Sequence, residues 1–469
     1  MMPRDALNLL LREHLGAFTR QAFKTVVPDT YLPNWHLEAY AHHLEEVARG
    51  RIRRLLITVA PRSLKSISAS VAFPAWLLGR DPTLRLICLS YAQDLAVKHA
   101  NQCRTVMSAP WYKSAFPGTA ISRSKNTEAE FETTRGGFRL STSVGGVLTG
   151  RGGNIIIIDD PIKPADAMSE TVRTNVNEWF DRTVHSRLDR QTKGAMILVM
   201  QRLHVDDLAG HLLEQGGWTH LNLPAKAEID EDIPIGRGRV HRRRIGEILQ
   251  PARNPQWVLD EFKRNLGAFD YAAQYQQAPV PLGGNMFDPA WIKRYEGELG
   301  EEPGDVIVTS WDTATKAGEL NDASVATTWL ARRGAFYLLD VFRARLNYPD
   351  LRRAVIRLHT HYRPEALLIE DKASGENLIQ DLVSDGIFAI PIQPEGDKVT
   401  RAHAATLAFE SGRVVLPRTA PWLGEFEAEL RAFPHGRHDD QVDSVSQFLN
   451  WTRDGLDRGP RIRSFDDDD

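Results

Sequence analysis

One run of residues narrows the fold of this chain more than any other feature. Four consecutive isoleucines, Ile155–Ile158, follow Asn154 and end in Asp159-Asp160-Pro161. Isoleucine is stiff at χ1 and packs well on a pleated surface. Four in succession leave neither face of a strand polar, so both faces must be covered. That predicts the most hydrophobic strand of a parallel α/β sheet. The two aspartates lie at its carboxyl end, where such sheets bind ligands.

The first half repeats this alternation of strand and helix. Arg54–Ala60 (RLLITVA), Leu84–Ser90 (LRLICLS) and Met196–Met200 (MILVM) read as further apolar strands. Helical patterns run from Ser66 to Leu78 and from about Asp94 to Met107. Shorter β-like pieces, Glu130–Phe131 and Gly137–Ser141, precede the isoleucine run. This order predicts βαβ units. The first strand runs into Pro61-Arg62-Ser63-Leu64-Lys65-Ser66, a strand-to-helix turn. Such a turn cradles phosphate with backbone N–H groups. The lysine reaches the outer phosphate oxygens and the serine hydroxyl holds Mg²⁺. Arg62 adds a second cation. Val59 and Leu64 stand where the two glycines of a P-loop belong. A left-handed non-glycine residue costs roughly 1 kcal/mol or more, so a loop of different shape is expected.

Asp159 is then expected to hold the Mg²⁺ shell, and Asp160 to polarise the attacking water, as in a Walker B strand. Gln201-Arg202, at the end of MILVM, are placed to sense the terminal phosphate. Arg151, in the glycine-flanked TGRGGN, has the freedom that an arginine finger needs.

A Pro/Gly-rich stretch, QQAPVPLGGN, and a second loop, GELGEEPGD, mark a boundary between about Tyr275 and Asp305. Beyond it, Val306–Asp312, Ser324–Leu330 and Ala335–Phe342 predict an antiparallel meander. A helix from Asp350 to about His361, a strand at Ala366–Ile369 and a strand at Ile387–Ile392 follow, with Pro391 marking an edge. Helices are expected at Arg401–Ser411, Leu423–Arg431 and Gln441–Trp451. This is the element order of an RNase H-like domain. Asp312 ends its first strand, Glu370-Asp371 end the fourth, and Asp439, Asp440 and Asp443 open the last helix. Asp440 and Asp443 share one helix face. Acids so placed can converge on two Mg²⁺ ions about 4 Å apart, the arrangement that hydrolyses phosphodiesters. His438 and Lys372 are candidate helpers, and Asp439 a candidate N-cap.

Composition excludes several classes. Of 469 residues, 42% are hydrophobic and 25% charged, ordinary for a globular chain. The longest apolar runs fall far short of the ~20 residues of a membrane helix. The N-terminus, with acid and base interspersed, does not read as a secretory signal. Two cysteines, Cys88 and Cys103, make neither a disulfide framework nor a zinc set, which points to a reducing cytoplasm. A net charge of −3 confines any DNA contact to local clusters. Arg51-Ile52-Arg53-Arg54 and, better placed, His241–Arg244 are the candidates.

Taken in order, NWHLEAY, APRSLKS, TGRGGNIIIIDDP, MQRLH, YAAQYQQAPVP, SWDTA, LLIEDKASG and HDDQVDS resemble the large terminase subunit of tailed bacteriophages, over roughly residues 30–450. The resemblance implies an α/β chain with two enzymes. An N-terminal P-loop ATPase domain of RecA/ASCE type, at 1–280 with helical and lid segments, would drive double-stranded DNA into a procapsid. A linker at 281–304 would lead to a C-terminal RNase H-like nuclease domain at 305–455, which would cut the DNA concatemer. A disordered tail from 456 is expected. The resemblance places Pro61, Arg62, Ser63, Leu64, Lys65 and Ser66 on phosphate and Mg²⁺, Asp159 and Asp160 as the Walker B pair, and Gln201 with Arg202 as a coupling motif. Asp160 stands where many relatives have Glu, so the water must sit closer. Trp35 and His36 lie where the family contacts adenine. Asp312, Glu370 and one of Asp440 or Asp443 resemble the nuclease triad, with Mn²⁺ able to replace Mg²⁺. The implied partners are DNA, the portal ring, the small terminase subunit and further copies of the chain in a ring, with a monomer in isolation. The implied place of work is the host cytoplasm. A helicase-like or transposase-like DNA enzyme would use the same P-loop and acids without a capsid partner. A DNA-binding scaffold with degenerate sites would have only Val59 and Leu64 in its support.

Overall fold

A computed structural model describes residues 4–146, 148, 150–280, 286–300, 302–313, 323–371, 374–394, 396–436 and 439–455. The expected tail from 456 lies outside the described residues. The chain divides into two compact units, Met1–Pro281 and Leu282–Asp469.

The first unit is built on eight strands: β1 (Arg54–Val59), β2 (Arg85–Ser90), β3 (Ile121–Asn126), β4 (Glu130–Thr133), β5 (Phe138–Ser143), β6 (Ile155–Asp159), β7 (Ala195–Met200) and β8 (Thr219–Leu223). Their order across the sheet is β3-β4-β5-β2-β6-β7-β1-β8. The six strands from β5 to β8 are parallel, and β3 and β4 add an antiparallel edge. The isoleucine strand is central and fully buried. Alternate side chains serve opposite faces, as a period of two requires. Leu55, Ile57, Ile155, Ile157, Ile197 and Val199 join one core, with helices Leu15–Val26, Trp35–Ala48 and Gln93–Ser108. Leu56, Ile156, Ile158, Met196, Leu198 and Met200 join the other, with helices Glu170–Trp179 and Leu208–Gln215. Because β1, β6 and β7 run parallel, Lys65, Asp159-Asp160 and Gln201-Arg202 all follow carboxyl ends on one side of the sheet. A hairpin of β9 (Glu231–Gly236) and β10 (Arg239–Arg243) follows, then two helical stretches within Gln256–Gln274 that break at Gly267, where φ is +83°.

Among the described residues the second unit holds seven strands: β11 (Lys293–Tyr295), β12 (Val306–Asp312), β13 (Ser324–Arg332), β14 (Ala335–Ala344), β15 (Ala366–Glu370), β16 (Ile390–Ile392) and β17 (Val414–Pro417). They are ordered β11-β17-β14-β13-β12-β15-β16. The expected meander is β12-β13-β14, and Pro391 sits in the edge strand β16. Part of the expected linker belongs to this unit. Phe287 is buried, Asp288 caps a short 3₁₀ turn, and β11 pairs with β17.

The last helix, Asp440–Gly455, is pinned on β12. The Ser310 hydroxyl donates to the Ser444 carbonyl at 2.9 Å, and the Ser444 hydroxyl to the Ser310 carbonyl at 2.8 Å. Gln447 donates to Ser310 Oγ at 2.9 Å, and Phe448 stacks on Trp329 at 4.7 Å. These contacts fix the start of the helix beside the end of β12.

Candidate active sites

In the first unit, the turn after β1 brings a lysine and a serine to a buried carboxylate, Asp159, and a part-buried one, Asp160. Lys65, 6% exposed, lies 3.0 Å from Asp160 Oδ1. Ser66 Oγ donates to Asp159 Oδ1 at 3.0 Å. Both aspartates are pushed above the ordinary carboxylate range by burial, with Lys65 pulling the other way. The sequence put these four residues in one place, and the structure joins them directly.

The loop has the strain expected of a P-loop without glycines, at one of the two suspected positions. Leu64 is left-handed, with φ of +64°, and so is Arg62, with φ of +59°. Val59 stays in the strand, paired with Leu223, so no glycine is needed there. Asp160 also has positive φ, +46°, and receives the Gln201 backbone N–H at 3.2 Å on Oδ1. Each such residue costs roughly 1–2 kcal/mol, and strain of this kind concentrates at functional sites.

Several expected residues have protein partners. Arg202 is held at the end of β7. Its Nε meets both oxygens of buried Asp207 at 3.0 Å, its Nη2 meets the His204 and Val205 carbonyls, and its backbone N–H donates to Gln277 Oε1 at 2.9 Å. The Gln201 side chain is buried, and among the described residues its Oε1 has no hydrogen-bond partner. Arg151 makes a two-pronged ion pair with Glu130, at 2.9 and 2.8 Å, and is 46% exposed at its side chain. Trp35 stacks on His241 at 4.1 Å, with the Arg243 guanidinium 5.6 Å from its ring, so one face of the indole is covered by protein. His36 is buried, accepts from Gln250 at Nε2, and is held neutral by burial, its pKa down to about 4. Its Nδ1 and the Tyr40 hydroxyl are buried and have no hydrogen-bond partner among the described residues. Pro61 lines a small pocket with Ser63, Gln250 and Leu259.

The better of the two candidate DNA contacts is only partly taken up by protein, with Arg242 75% and Arg244 65% exposed at their side chains. Arg243 is buried at 1% exposure and donates to the Pro224 carbonyl, His241 bonds Glu247 at 2.7 Å, and Arg244 pairs with Asp230. This run holds the hairpin to the body of the unit. In the other run, Arg51 pairs with Glu46 and Arg54 is half-buried on the Arg53 carbonyl.

Sequence reading missed the layer behind Asp159. Ser70 Oγ donates to Asp159 Oδ2 at 2.7 Å, and His99 Nδ1 lies 3.6 Å from the same oxygen. Arg139, fully buried on β5, donates to the Ser70 carbonyl at 3.0 Å and to the Ser141 hydroxyl. Ser70 sits one helical turn beyond Ser66, in a π-helical stretch, Ile67–Ala72. That spacing was the available signal.

In the second unit, Asp312 at the end of β12 is the focus. Its pKa is raised well above the usual carboxylate range by burial, then by the charges of Asp443, Glu370 and Asp440. Asp312 thus feels the charges of three other acids, from β15 and the last helix. Asp440 is raised by burial and by Glu429 and Asp439, and lies 3.7 Å from Arg343. Asp443 is held by two cations, Lys398 and Arg401, each at 2.9 Å. Among the described residues, no three acidic, histidine or cysteine side chains are drawn close enough to be a ready-made metal cage. The hard oxygen donors and their mutual repulsion nevertheless suit a divalent cation. Lys372 and His438 lie outside the described residues. Lys398, Arg401 and Arg343 were not anticipated, because a cation on a distant helix carries no local motif. No described helix is long and apolar enough to cross a membrane.

Comparison with known proteins gives this geometry a context. Residues 309–451 match the family model described as the terminase RNaseH-like domain. No curated protein matches the chain in sequence. Among solved structures, the large terminase of a thermophilic bacteriophage aligns with a TM-score of 0.50 at 11% identity, over 87% of this chain and 97% of that one. The same terminase in complex with ADP aligns at 0.49, with 11% identity over 93% and 98%. The large terminase nuclease of the thermophilic phage G20c with bound magnesium aligns at 0.30, with 17% identity over 36% and 98%. The first of these alignments shows that the chain has the fold of a phage large terminase.

Proposed function

We propose that this chain, with a large-terminase fold and a terminase RNaseH-like domain at 309–451, is the DNA-packaging large subunit of a tailed phage: an ATPase in its first unit and a metal-dependent DNA endonuclease in its second. The observation that carries the reading is the pairing of Lys65 with Asp160 and of Ser66 with Asp159, in a chain whose other sheet ends in Asp312, an acid that feels the charges of Asp443, Glu370 and Asp440. The two ligand classes follow from the donors. A buried lysine at a strand-to-helix turn suits phosphate, and clustered carboxylates suit Mg²⁺.

In the first unit, Lys65 leaves Asp160 to meet the terminal phosphates, and the helix N-terminus after Ser66 receives the others. Ser66 and Asp159 are the residues that would hold Mg²⁺. Asp160, released from Lys65, orients water for attack, with Gln201 beside it. Arg202, tied to Asp207 and Gln277, passes any movement at the end of β7 to the segment that follows Gln274. Arg151 is exposed and could exchange Glu130 for a neighbouring copy's nucleotide within a ring. In the second unit, Asp312, Glu370, Asp443 and Asp440 would hold metal. Bound divalent ions supply charge neutralisation at the first site, and at the second they activate water and stabilise the leaving oxygen. No base-reading element is implied, so cutting is expected to be nearly sequence-blind, with site choice left to the small subunit. The portal ring, a homo-oligomeric ring of this chain and action in the host cytoplasm complete the proposal.

The test is DNA-stimulated ATP hydrolysis and plasmid cleavage by the purified chain in Mg²⁺ or Mn²⁺. Both activities are expected. ATP hydrolysis without any cleavage under either metal would move the chain to a helicase-like motor.

A further inference from the structure

Asp443 is the acid that weighs most on Asp312, yet both of its oxygens are occupied by protein cations. Oδ2 lies 2.9 Å from Lys398 Nζ and Oδ1 lies 2.9 Å from Arg401 Nη2. The two cations stand on one face of the first turn of helix Lys398–Glu410, whose N-cap is Asp397. Their situations differ. Arg401 is 15% exposed at its side chain and is tethered from the other side, its Nη1 donating to the Gly396 carbonyl at 3.1 Å. Lys398 is 48% exposed and also reaches Asp439 Oδ1 at 2.8 Å. An ammonium on a four-carbon stem is a point charge without a preferred approach, whereas guanidinium is a rigid fork. Lys398, though it pairs with two carboxylates, is therefore the more readily displaced of the two cations.

The acids of this site repel one another, and a cation must stand among them for the fold to keep them together. Arg401 and Lys398 draw Asp443 toward helix Lys398–Glu410, which accounts for the lack of a closed three-ligand cage among the described residues.

We propose that Lys398 is the resident counter-cation of the second site: its ammonium occupies the Asp443 oxygen that a divalent ion takes, and it withdraws to solvent when the ion binds, while Arg401 stays and aims the carboxylate. Lys398 is thus a positioning residue that gates the metal. The proposal rests on the nuclease reading of this site.

Two readouts on the full chain test it, neither of them cleavage. The first is Mn²⁺ binding by calorimetry without nucleotide, comparing wild type, Lys398→Gln and Asp312→Asn. Lys398→Gln is expected to bind Mn²⁺ more tightly, by up to about fivefold, the worth of a partly exposed ion pair that no longer has to be broken. Equal or weaker binding overturns the proposal. The second needs no variant: acetylation of Lys398, followed by mass spectrometry, is expected to rise when Mn²⁺ is added. Unchanged or reduced labelling overturns it. Asp312→Asn separates the two levels of the argument. If it removes no Mn²⁺ binding from the wild-type protein, the nuclease reading fails and takes the gate with it. If it does remove binding while Lys398→Gln changes nothing, only the gate fails.

Discussion

Asp207→Ala tests how the end of β7 is held. Asp207 is 1% exposed and Arg202 8%. The carboxylate accepts from Arg202 Nε at 3.0 Å on each oxygen, from the backbone of Leu203 at 2.9 Å and His204 at 3.3 Å, and from Gly210 N at 2.9 Å as the cap of helix Leu208–Gln215. Removing one member of a buried ion pair costs about 3–5 kcal/mol, because the remaining charge is stranded. Losing the cap alone costs about 1 kcal/mol. The two losses share atoms, so the expected sum is about 4 kcal/mol. For a unit of this size that lowers Tm by about 8–16 °C. Arg202→Met should cost less, about 1–3 kcal/mol, since Asp207 keeps three backbone donors. The double variant should be more stable than Asp207→Ala alone, because no charge is then stranded. Urea and thermal unfolding followed by circular dichroism measure all three. Asp207→Ala within 1 kcal/mol of wild type, or a double variant worse than the single, would refute the reasoning.

Further outcomes follow from the same geometry. Ser70→Ala removes a buried bond to a carboxylate, worth about 1.5–3 kcal/mol. Since that bond lowers the Asp159 pKa, the acid limb of the ATPase pH profile should move to higher pH. Asp312→Asn should stabilise the second unit in metal-free buffer at neutral pH. A raised native pKa means that the native state binds more protons than the unfolded one, so wild-type stability falls as pH rises from near 4 through the raised value. Differential scanning calorimetry at pH 4 and pH 7 should show the advantage of the variant shrinking toward pH 4. Arg151→Ala breaks an exposed pair and should cost under about 1 kcal/mol in unfolding. A finger acting between copies predicts that it silences the ring's ATP hydrolysis, read as loss of DNA-stimulated turnover.

The central strands were legible because burial on both faces leaves a mark in sequence. Ile155–Ile158 and Met196–Met200 could be placed without coordinates, and so could the carboxylates that end β6 and β12. The meander and the edge strand at Pro391 were legible for the same local reason. The rest depended on distance in sequence. The pairing of β11 with β17 joins segments more than a hundred residues apart, and no local pattern announces it. Arg243 read as a surface cation, but it lies beneath Trp35 against the Pro224 carbonyl, since a guanidinium can be buried wherever a carbonyl waits. Ser70 and Arg139 sit behind Asp159 only because β5 and the π-helical turn approach it in three dimensions. Leu64 shows the converse: the missing glycine was visible, and the left-handed backbone it would have eased is there all the same.

The central claim is that two separate active sites occupy one chain. The crossed assay tests it most directly: ATP hydrolysis and plasmid nicking measured on the same preparations of wild type, Lys65→Met and Asp312→Asn in Mg²⁺. Lys65→Met is expected to lose ATP hydrolysis and still nick DNA, and Asp312→Asn to lose nicking and still hydrolyse ATP. A single substitution that abolishes both activities in a folded protein would contradict the account.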